Sequence, residues 1–163
     1  MQIQEMDDLH PIDLVQSLAQ SRAWAFERTD DDQIAMVVEG QWQQYALSLV
    51  WSDHNETLRL VCSFEFSPPA SKLPALFETL NMANDGCWSG GFAYWQDQRL
   101  MAFIYGLNLA GGAVASPAQV DDMVRISVAS CEKLYPAFQL VSWGEDTPQA
   151  AMKMAINDGY GRA

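Results

Sequence analysis

The sequence predicts an α+β fold in which helices pack on one face of an antiparallel sheet. Two groups of segments, one of four and one of two, carry apolar residues at every second position and are joined by short polar loops. This alternation is typical of half-buried strands, and short connections favour antiparallel neighbours. Apolar residues at helical spacing occur before, between and after the two groups. The predicted order is α-β-β-β-β-α-β-β-α, and strands grouped in this way indicate α+β.

The first helix is predicted to begin at Pro11, because a proline at the first helical position loses no hydrogen bond. Asp13 follows in the first turn, where its negative charge favours the positive end of the helix. Apolar residues then recur at helical spacing, at Ile12, Val15, Leu18 and Ala19. The pattern predicts that this helix ends near Ala23.

Four alternating segments follow, with polar loops at 29–32 and 52–56 and a glycine at position 40 between them. Their main apolar faces are formed by Trp24, Phe26, Ile34, Met36, Val38, Tyr45, Leu47, Leu49, Trp51, Leu58, Leu60, Cys62, Phe64 and Phe66. The short loops predict an antiparallel meander. Leu60 lies between two other apolar residues of its face and is predicted to be a core residue.

The second half contains the remaining predicted elements. A helix begins after Pro68-Pro69 and stops at Asn84-Asp85-Gly86, and two strands lie near 88–95 and 99–107. Ser116 and Pro117 are typical of the start of a third helix. Pro136 is expected to kink or interrupt that helix, because a proline inside a helix removes a hydrogen bond and clashes one turn back. A short last helix is predicted from Thr147-Pro148 through residue 157.

Length and composition predict one domain over residues 1–163. Apolar residues make up 49% of the 163, and the net charge is −12. Such a charge disfavours nucleic acid and anionic membrane surfaces as partners. The amino terminus lacks the pattern of a signal peptide, and no apolar run reaches the length of a membrane span. Three cysteines without paired spacing indicate reduced thiols, so we expect a cytoplasmic protein.

No motif in the sequence predicts a catalytic, cofactor-binding or metal-binding residue. There are two histidines and no Cys-x-x-Cys pair, and the glycines near 111 lack the spacing of a phosphate loop. Cys62 and Cys131 lie on apolar faces and are expected to be buried. Cys87 follows a polar turn and is less clearly apolar in context. An alternative function is therefore a small-molecule-binding or weakly catalytic domain that uses Cys87 and His54.

An excess of large apolar residues on the strands predicts a second apolar sheet surface. On the last two strands, Trp95, Phe103 and Tyr105 are interpreted as opposing a set formed by Trp88, Phe92, Tyr94 and Ile104. The candidate interface comprises Val50, Val61, Phe103 and Tyr105. These side chains are expected to point away from the helices. A homodimer would cover such a surface most simply, because a symmetric dimer uses one patch twice. A helix of a client protein is the other candidate.

Several short stretches together resemble the YbjN-like family, from about Ile12 to Ile156. They are Leu80-Asn81-Met82-Ala83-Asn84, Gly91-Phe92, Leu107 near Gly111-Gly112, Cys131-Glu132-Lys133-Leu134-Tyr135-Pro136-Ala137-Phe138, Trp143-Gly144, and Thr147-Pro148-Gln149-Ala150-Ala151. Within them, Asn81 and Asn84 are predicted to satisfy backbone groups at the end of the second helix.

The resemblance implies a fold like that of type III secretion chaperones and a small cytoplasmic dimer that binds protein or acts in regulation. It carries over no enzymatic residue and no cofactor. The sequence and the resemblance together predict a non-enzymatic, chaperone-like regulator that binds protein in bacterial sensory or signalling pathways.

Overall fold

A computed structural model describes residues 10–160 of the chain. Its centre is one antiparallel sheet of six strands in the order β1-β2-β3-β4-β6-β5. The strands are β1 (Ala25–Asp30), β2 (Gln33–Glu39), β3 (Gln44–Ser52), β4 (Thr57–Glu65), β5 (Gly90–Trp95) and β6 (Leu100–Asn108). The first four strands form the predicted meander, and β6 then pairs with β4 and leaves β5 at the edge.

Helices occupy the positions in the chain where helical spacing predicts them. They are α1 (Pro11–Ser21), α2 (Leu73–Asp85), α3 (Pro117–Trp143) and α4 (Pro148–Tyr160). The first contacts β1 to β3, the second contacts β5, and the third contacts β4 and β6. Short 3-10 turns lie at Ala70–Lys72 and Ala110–Gly112. The predicted α+β class with an antiparallel sheet is confirmed.

Helix α1 is held at both ends by hydrogen bonds. His10 Nδ1 accepts a bond from the Ile12 amide at 3.1 Å, and His10 Nε2 lies 2.8 Å from Asp32 Oδ1. At the other end, the Trp24 amide donates to the Ala19 carbonyl at 3.0 Å, and Ala23 has a φ of 56°. This pattern ends a helix by turning one residue into the left-handed region. The helix therefore ends at Ser21, two residues earlier than predicted.

The core lies between the sheet and the helices. Paired residues of an antiparallel sheet point to the same face, so the register shows which side chains reach the helices. Leu49 pairs with Leu60, which pairs with Tyr105, and Cys62 pairs with Phe103. Leu60 is 0% exposed, which confirms its predicted place in the core.

Helix α3 is the longest element and runs through Pro136 to Trp143. Its start is a capping box, in which the Ser116 hydroxyl accepts from the Gln119 amide and the Gln119 side chain accepts from the Ser116 amide. The expected interruption at Pro136 does not occur. Tyr135, immediately before the proline, and Phe138, just after it, are buried against the sheet. We attribute the continuity of the helix to this packing.

The same helix anchors the turn between β2 and β3. The Glu132 carboxylate accepts hydrogen bonds from the amides of Gln41 and Trp42, the second at 3.3 Å. The Trp42 indole also stacks on Tyr135, with ring centroids 6.2 Å apart and planes 20° apart. The turn is thus tied to α3 by one carboxylate and one aromatic pair.

Candidate functional site

The second face of the sheet, which we call the open sheet face, is the face that the helices do not cover. Its members alternate with the core residues along each strand. They are Ala25, Glu27, Ala35, Val37, Glu39, Gln44, Ala46, Ser48, Val50, Arg59, Val61, Ser63, Glu65, Gly91, Ala93, Trp95, Leu100, Ala102 and Ile104. Val37 and Val50 remain 37% and 38% exposed. Exposed apolar area of this kind is typical of an interaction surface.

Small side chains dominate the middle of the open sheet face. The pairing places them in two adjacent rows that cross all six strands. One row is Ala25, Val37, Ala46, Ser63, Ala102 and Ala93, and the next is Glu27, Ala35, Ser48, Val61, Ile104 and Gly91. Most of the residues in these two rows are alanine, serine or glycine, so few large side chains cover the middle of the open sheet face.

A groove of about 570 Å³ follows the two rows over β1 to β4. It is lined only by strand residues, and Trp95 stands at one end beside Val61 and Ser63. A second hollow of about 540 Å³ continues along β3 and β4 past Val50 and Arg59. The two hollows share Ser48 and Val61, so the concave surface is continuous.

The structure divides the four predicted interface residues between the two faces. Val50 and Val61 lie on the open sheet face, as predicted. Phe103 is 1% exposed and Tyr105 is half-buried, and both belong to the face that the helices cover. The prediction that these two aromatic side chains point away from the helices is therefore wrong.

The error concerns which face of β6 is the inner one. Residues 101–105 are apolar on both sides of the strand, so alternation separates Ile104 from its neighbours without showing which side is covered. The pairing of Phe103 with Cys62 fixes the choice. Ile104 then joins Trp95 on the open sheet face, whereas the alternation had predicted that these two lie on opposite sides.

The Cys87 cavity is a separate hollow of about 520 Å³ between the end of α2, α3 and α4. Its apolar wall includes Phe103, Leu134 and Met152, and Lys133 and Trp88 also line it. Trp88 is fully exposed. His54 lies in the exposed turn between β3 and β4 and is not among the residues that line this cavity. The structure therefore does not bring Cys87 and His54 together, as the predicted alternative site would require.

The three thiols differ in burial, and none is placed as a nucleophile. Burial raises the pKa of Cys87, and the nearby Lys133 ammonium only partly opposes this. The Cys87 thiol donates to the Ala83 carbonyl at 3.3 Å. Cys62 and Cys131 are fully buried, with sulfur atoms 3.9 Å apart. The hydrogen bond to Cys62, followed by burial, raises the pKa of Cys131. A raised pKa keeps a thiol protonated and unreactive at neutral pH.

The polar clusters of residues 10–160 do not form a metal site. Within that range, no group of three or more histidine, cysteine, aspartate or glutamate side chains is arranged to hold a metal ion. The acidic turn 30–32 is satisfied locally, because the Asp32 amide donates to Asp30 and the Arg28 guanidinium donates to the backbone carbonyls of Asp30 and Asp31. None of the described helices is both long and apolar enough to cross a membrane.

Comparison with known proteins identifies the family. The sequence profile of the YbjN family, described as "Putative bacterial sensory transduction regulator", matches residues 11–140. This chain belongs to the YbjN family. The sequence-based resemblance is thereby confirmed, and the matched region extends from the start of α1 to near the end of α3.

A solved structure supports the fold of this YbjN-family chain. It is the crystal structure of YbjN from E. coli, described as "a putative transcription regulator". The two chains are 12% identical, with a TM-score of 0.54 over 76% of this chain and 87% of the other. At this identity the likeness concerns the fold alone. No curated protein matches the sequence.

Proposed function

We propose that this protein is a non-enzymatic regulator that acts by binding protein on its open sheet face. The observation that carries the proposal is the uncovered groove over β1 to β4, whose lining is mostly apolar and also includes Glu27, Ser48 and Ser63. Such a surface is suited to receive protein side chains, and it presents few groups that could catalyse a reaction. The binding would be chaperone-like, because the protein would cover apolar surface of its partner without changing the partner chemically.

The family description supports a regulatory role, and the raised pKa values of Cys87 and Cys131 argue against thiol catalysis. We place the protein in the cytoplasm, because a reducing compartment would keep the closely spaced thiols of Cys62 and Cys131 unpaired. The net charge of −12 disfavours nucleic acid as the direct partner.

Photo-crosslinking in living bacteria tests the proposal. A photoreactive amino acid at position 50 reports on the open sheet face, and the same amino acid at position 153 reports on the exposed side of α4. We expect discrete protein adducts from position 50, formed with a second copy or with another protein, and far fewer from position 153.

The control introduces Val61→Asp into the position 50 variant. A charge in the middle of the groove should remove the adducts, because an unpaired charge is costly to bury in an interface. Circular dichroism must show that the variant is folded. If position 50 gives no adducts, or gives the same adducts with and without Val61→Asp, the proposed function is wrong.

The Cys87 cavity favours a second candidate function, the binding of a small molecule. Its buried apolar wall and its rim, formed by Lys133 and the fully exposed Trp88, combine an apolar site with a few polar groups. Screening small molecules by the fluorescence of Trp88, with Trp88→Phe and Leu134→Trp as controls, tests this candidate. A ligand whose affinity is unchanged by filling the cavity at Leu134 would bind elsewhere.

A further inference from the structure

We propose that the Cys87 cavity binds an unbranched aliphatic carboxylic acid, whose chain lies against the apolar wall and whose carboxylate pairs with Lys133. This proposal rests on the second candidate function, since it names the ligand class for the same cavity. It does not depend on the open sheet face, because the residues that line the Cys87 cavity are not those that line the two hollows of that face.

The apolar wall of the cavity is built from four elements of the fold. Its members are Met82 and Ala83 of α2, Phe103 of β6, Ile126 and Leu134 of α3, and Met152, Ala155 and Ile156 of α4. Three helices and one strand thus surround a space of about 520 Å³, within the range of roughly 300–1,000 Å³ that is usual for ligand pockets. Phe103, Leu134 and Met152 are buried, so core packing holds this part of the wall in place.

The side chains of this wall favour a flexible ligand over a rigid one. Met82 and Met152 line the cavity from two different helices. Methionine is unbranched and polarizable and fills irregular gaps, so a wall that contains it adapts to ligands of different shape. The other members of the wall are mostly aliphatic and bring no hydrogen-bonding side chain. A saturated chain therefore matches this wall in both shape and polarity.

Two charged residues line the cavity, Lys133 of α3 and Asp85 at the end of α2. Lys133 is exposed, and its ammonium forms no salt bridge with an acidic side chain of the described residues. Burial raises the pKa of the Cys87 thiol, and the Lys133 charge acts in the opposite direction. The positive charge of Lys133 is therefore felt at the cavity wall. The same attraction would act on the carboxylate of a ligand.

Negative charges oppose the binding of an anion, and their distance decides how much they matter. The chain carries a net charge of −12, but the Debye length is roughly 8 Å at physiological salt, so remote carboxylates are largely screened. Asp85 is the acidic residue that lines the cavity itself. The nearby carbonyls of α2 are already engaged, because Ala83 accepts from the Cys87 thiol and Asn84 accepts from the Cys87 amide. We therefore expect Asp85 to weaken the binding of a carboxylate without preventing it.

Trp88 adds apolar area at the same cavity. Its side chain lines the cavity although it is fully exposed. An aliphatic chain in the cavity would cover part of this ring. Removing apolar surface from water is favourable, and an aromatic ring offers a large area for it. The exposed indole thus supports a ligand that is apolar beyond its charged end.

Calorimetric titration of the full chain with octanoate, decanoate and octanol tests the proposal. Decanoate should bind roughly tenfold more tightly than octanoate, because two more methylene groups are buried. Lys133→Met should weaken octanoate binding about two- to fivefold, the usual effect of an exposed ion pair, and leave octanol unchanged. Asp85→Asn should strengthen octanoate binding by a similar factor. The control, Lys153→Met, removes the same charge from the exposed side of α4 and should change neither ligand.

Alkylation of Cys87 shows where the ligand binds. Saturating octanoate or octanol should slow the reaction of iodoacetamide with Cys87, because the chain fills the space beside the thiol. Ala155→Leu narrows the cavity from α4 and should weaken both ligands and their protection of Cys87. Circular dichroism must show that the variant is folded. If Ala155→Leu does not fold, Ala155→Val takes its place.

Three results would overturn the proposal, and they separate it from the functions on which it builds. If octanol protects Cys87 while Lys133→Met leaves octanoate binding unchanged, the ligand is not a carboxylate, and the second candidate function stands. If no aliphatic probe protects Cys87 at millimolar concentration, the ligand class is wrong, and the Trp88 fluorescence screen alone decides whether the cavity binds another class. Protection that Ala155→Leu does not change places the ligand outside the cavity. The crosslinking experiment at position 50 is independent of all three.

Discussion

Asn84 and Phe92 are joined by two hydrogen bonds that tie the end of α2 to the edge strand β5. Asn84 Oδ1 accepts from the Phe92 amide at 2.6 Å, and Asn84 Nδ2 donates to the Phe92 carbonyl at 3.0 Å. Among the strands of residues 10–160, β5 pairs with β6 alone, so this side-chain amide takes the place of a second neighbouring strand. Free groups at a sheet edge invite pairing with other chains. Asn84 blocks this route at Phe92, which favours the face of the sheet over its edge for association.

The first prediction is that Asn84→Ala lowers the free energy of unfolding by about 1–3 kcal/mol, because both backbone groups of Phe92 lose their partner. Asn84→Asp should also destabilise the protein, since a carboxylate cannot donate to the Phe92 carbonyl. Urea unfolding measures both changes. Asn81→Ala, an exposed position of the same helix, is the matched control and should stay within about 0.5 kcal/mol of the wild type. Equal effects at Asn81 and Asn84 would contradict the proposed edge protection.

The second prediction concerns the contact between Glu132 and the β2–β3 turn. Glu132→Gln replaces one acceptor oxygen by a donor, which would face a backbone amide of Gln41 or Trp42. Hydrogen bonds to a charged group contribute about 1.5–3 kcal/mol, so we expect a loss of this order in thermal or urea unfolding. Hydrogen exchange should accelerate at the two turn amides. The same change at Glu145, an exposed residue after α3, is the control. Unchanged exchange at Gln41 and Trp42 would show that the carboxylate does not hold the turn.

The third prediction is that one thiol in three reacts with iodoacetamide in the folded protein. Cys87 is half-buried, whereas Cys62 and Cys131 are fully buried. Because burial raises the pKa of Cys87 above its usual value of 9.0, its thiolate fraction should grow about tenfold per pH unit from pH 7 and continue to rise above pH 9. A free cysteine peptide would level off near its own pKa. Lys133→Met should slow the reaction further, since it removes the charge that lowers the pKa. A reaction rate that reaches a plateau below pH 9 would contradict the raised pKa of Cys87.

The elements of the fold could be predicted because each carries its own local pattern. The alternation around Leu60 and the proline at the start of α1 depend on neighbours in the chain, and the structure has both as expected. For Asn84, the sequence predicted the type of hydrogen bond but not the partner. Its amide does satisfy backbone groups, but they belong to β5, eight residues away, and not to the helix end. Contacts across the fold of this sort leave no regular spacing in the sequence.

The candidate site was half predictable for a related reason. Val50 and Val61 lie on strands with one strongly apolar face, so their outward direction follows from alternation. Strand β6 is apolar on both faces. It pairs with β4, from which α2 and β5 separate it in the chain, so local alternation does not give the register between the two strands. The Glu132 anchor and the Cys87 cavity likewise depend on the docking of α3. The sequence contained one signal that either face of β6 could be the covered one. Apolar residues of β6 lie next to small residues of β5.

The last prediction compares Phe103 and Ile104, neighbours on β6 that point to opposite faces. Phe103→Ala should lower the free energy of unfolding by about 3–5 kcal/mol, the usual cost of removing a core aromatic side chain. Phe103 packs against Phe92, with ring centroids 5.0 Å apart. Ile104→Ala should cost less, because the Ile104 side chain is half-buried on the open sheet face. Urea unfolding of the two variants measures both losses. A loss for Ile104→Ala as large as that for Phe103→Ala would mean that the two faces of β6 have been exchanged.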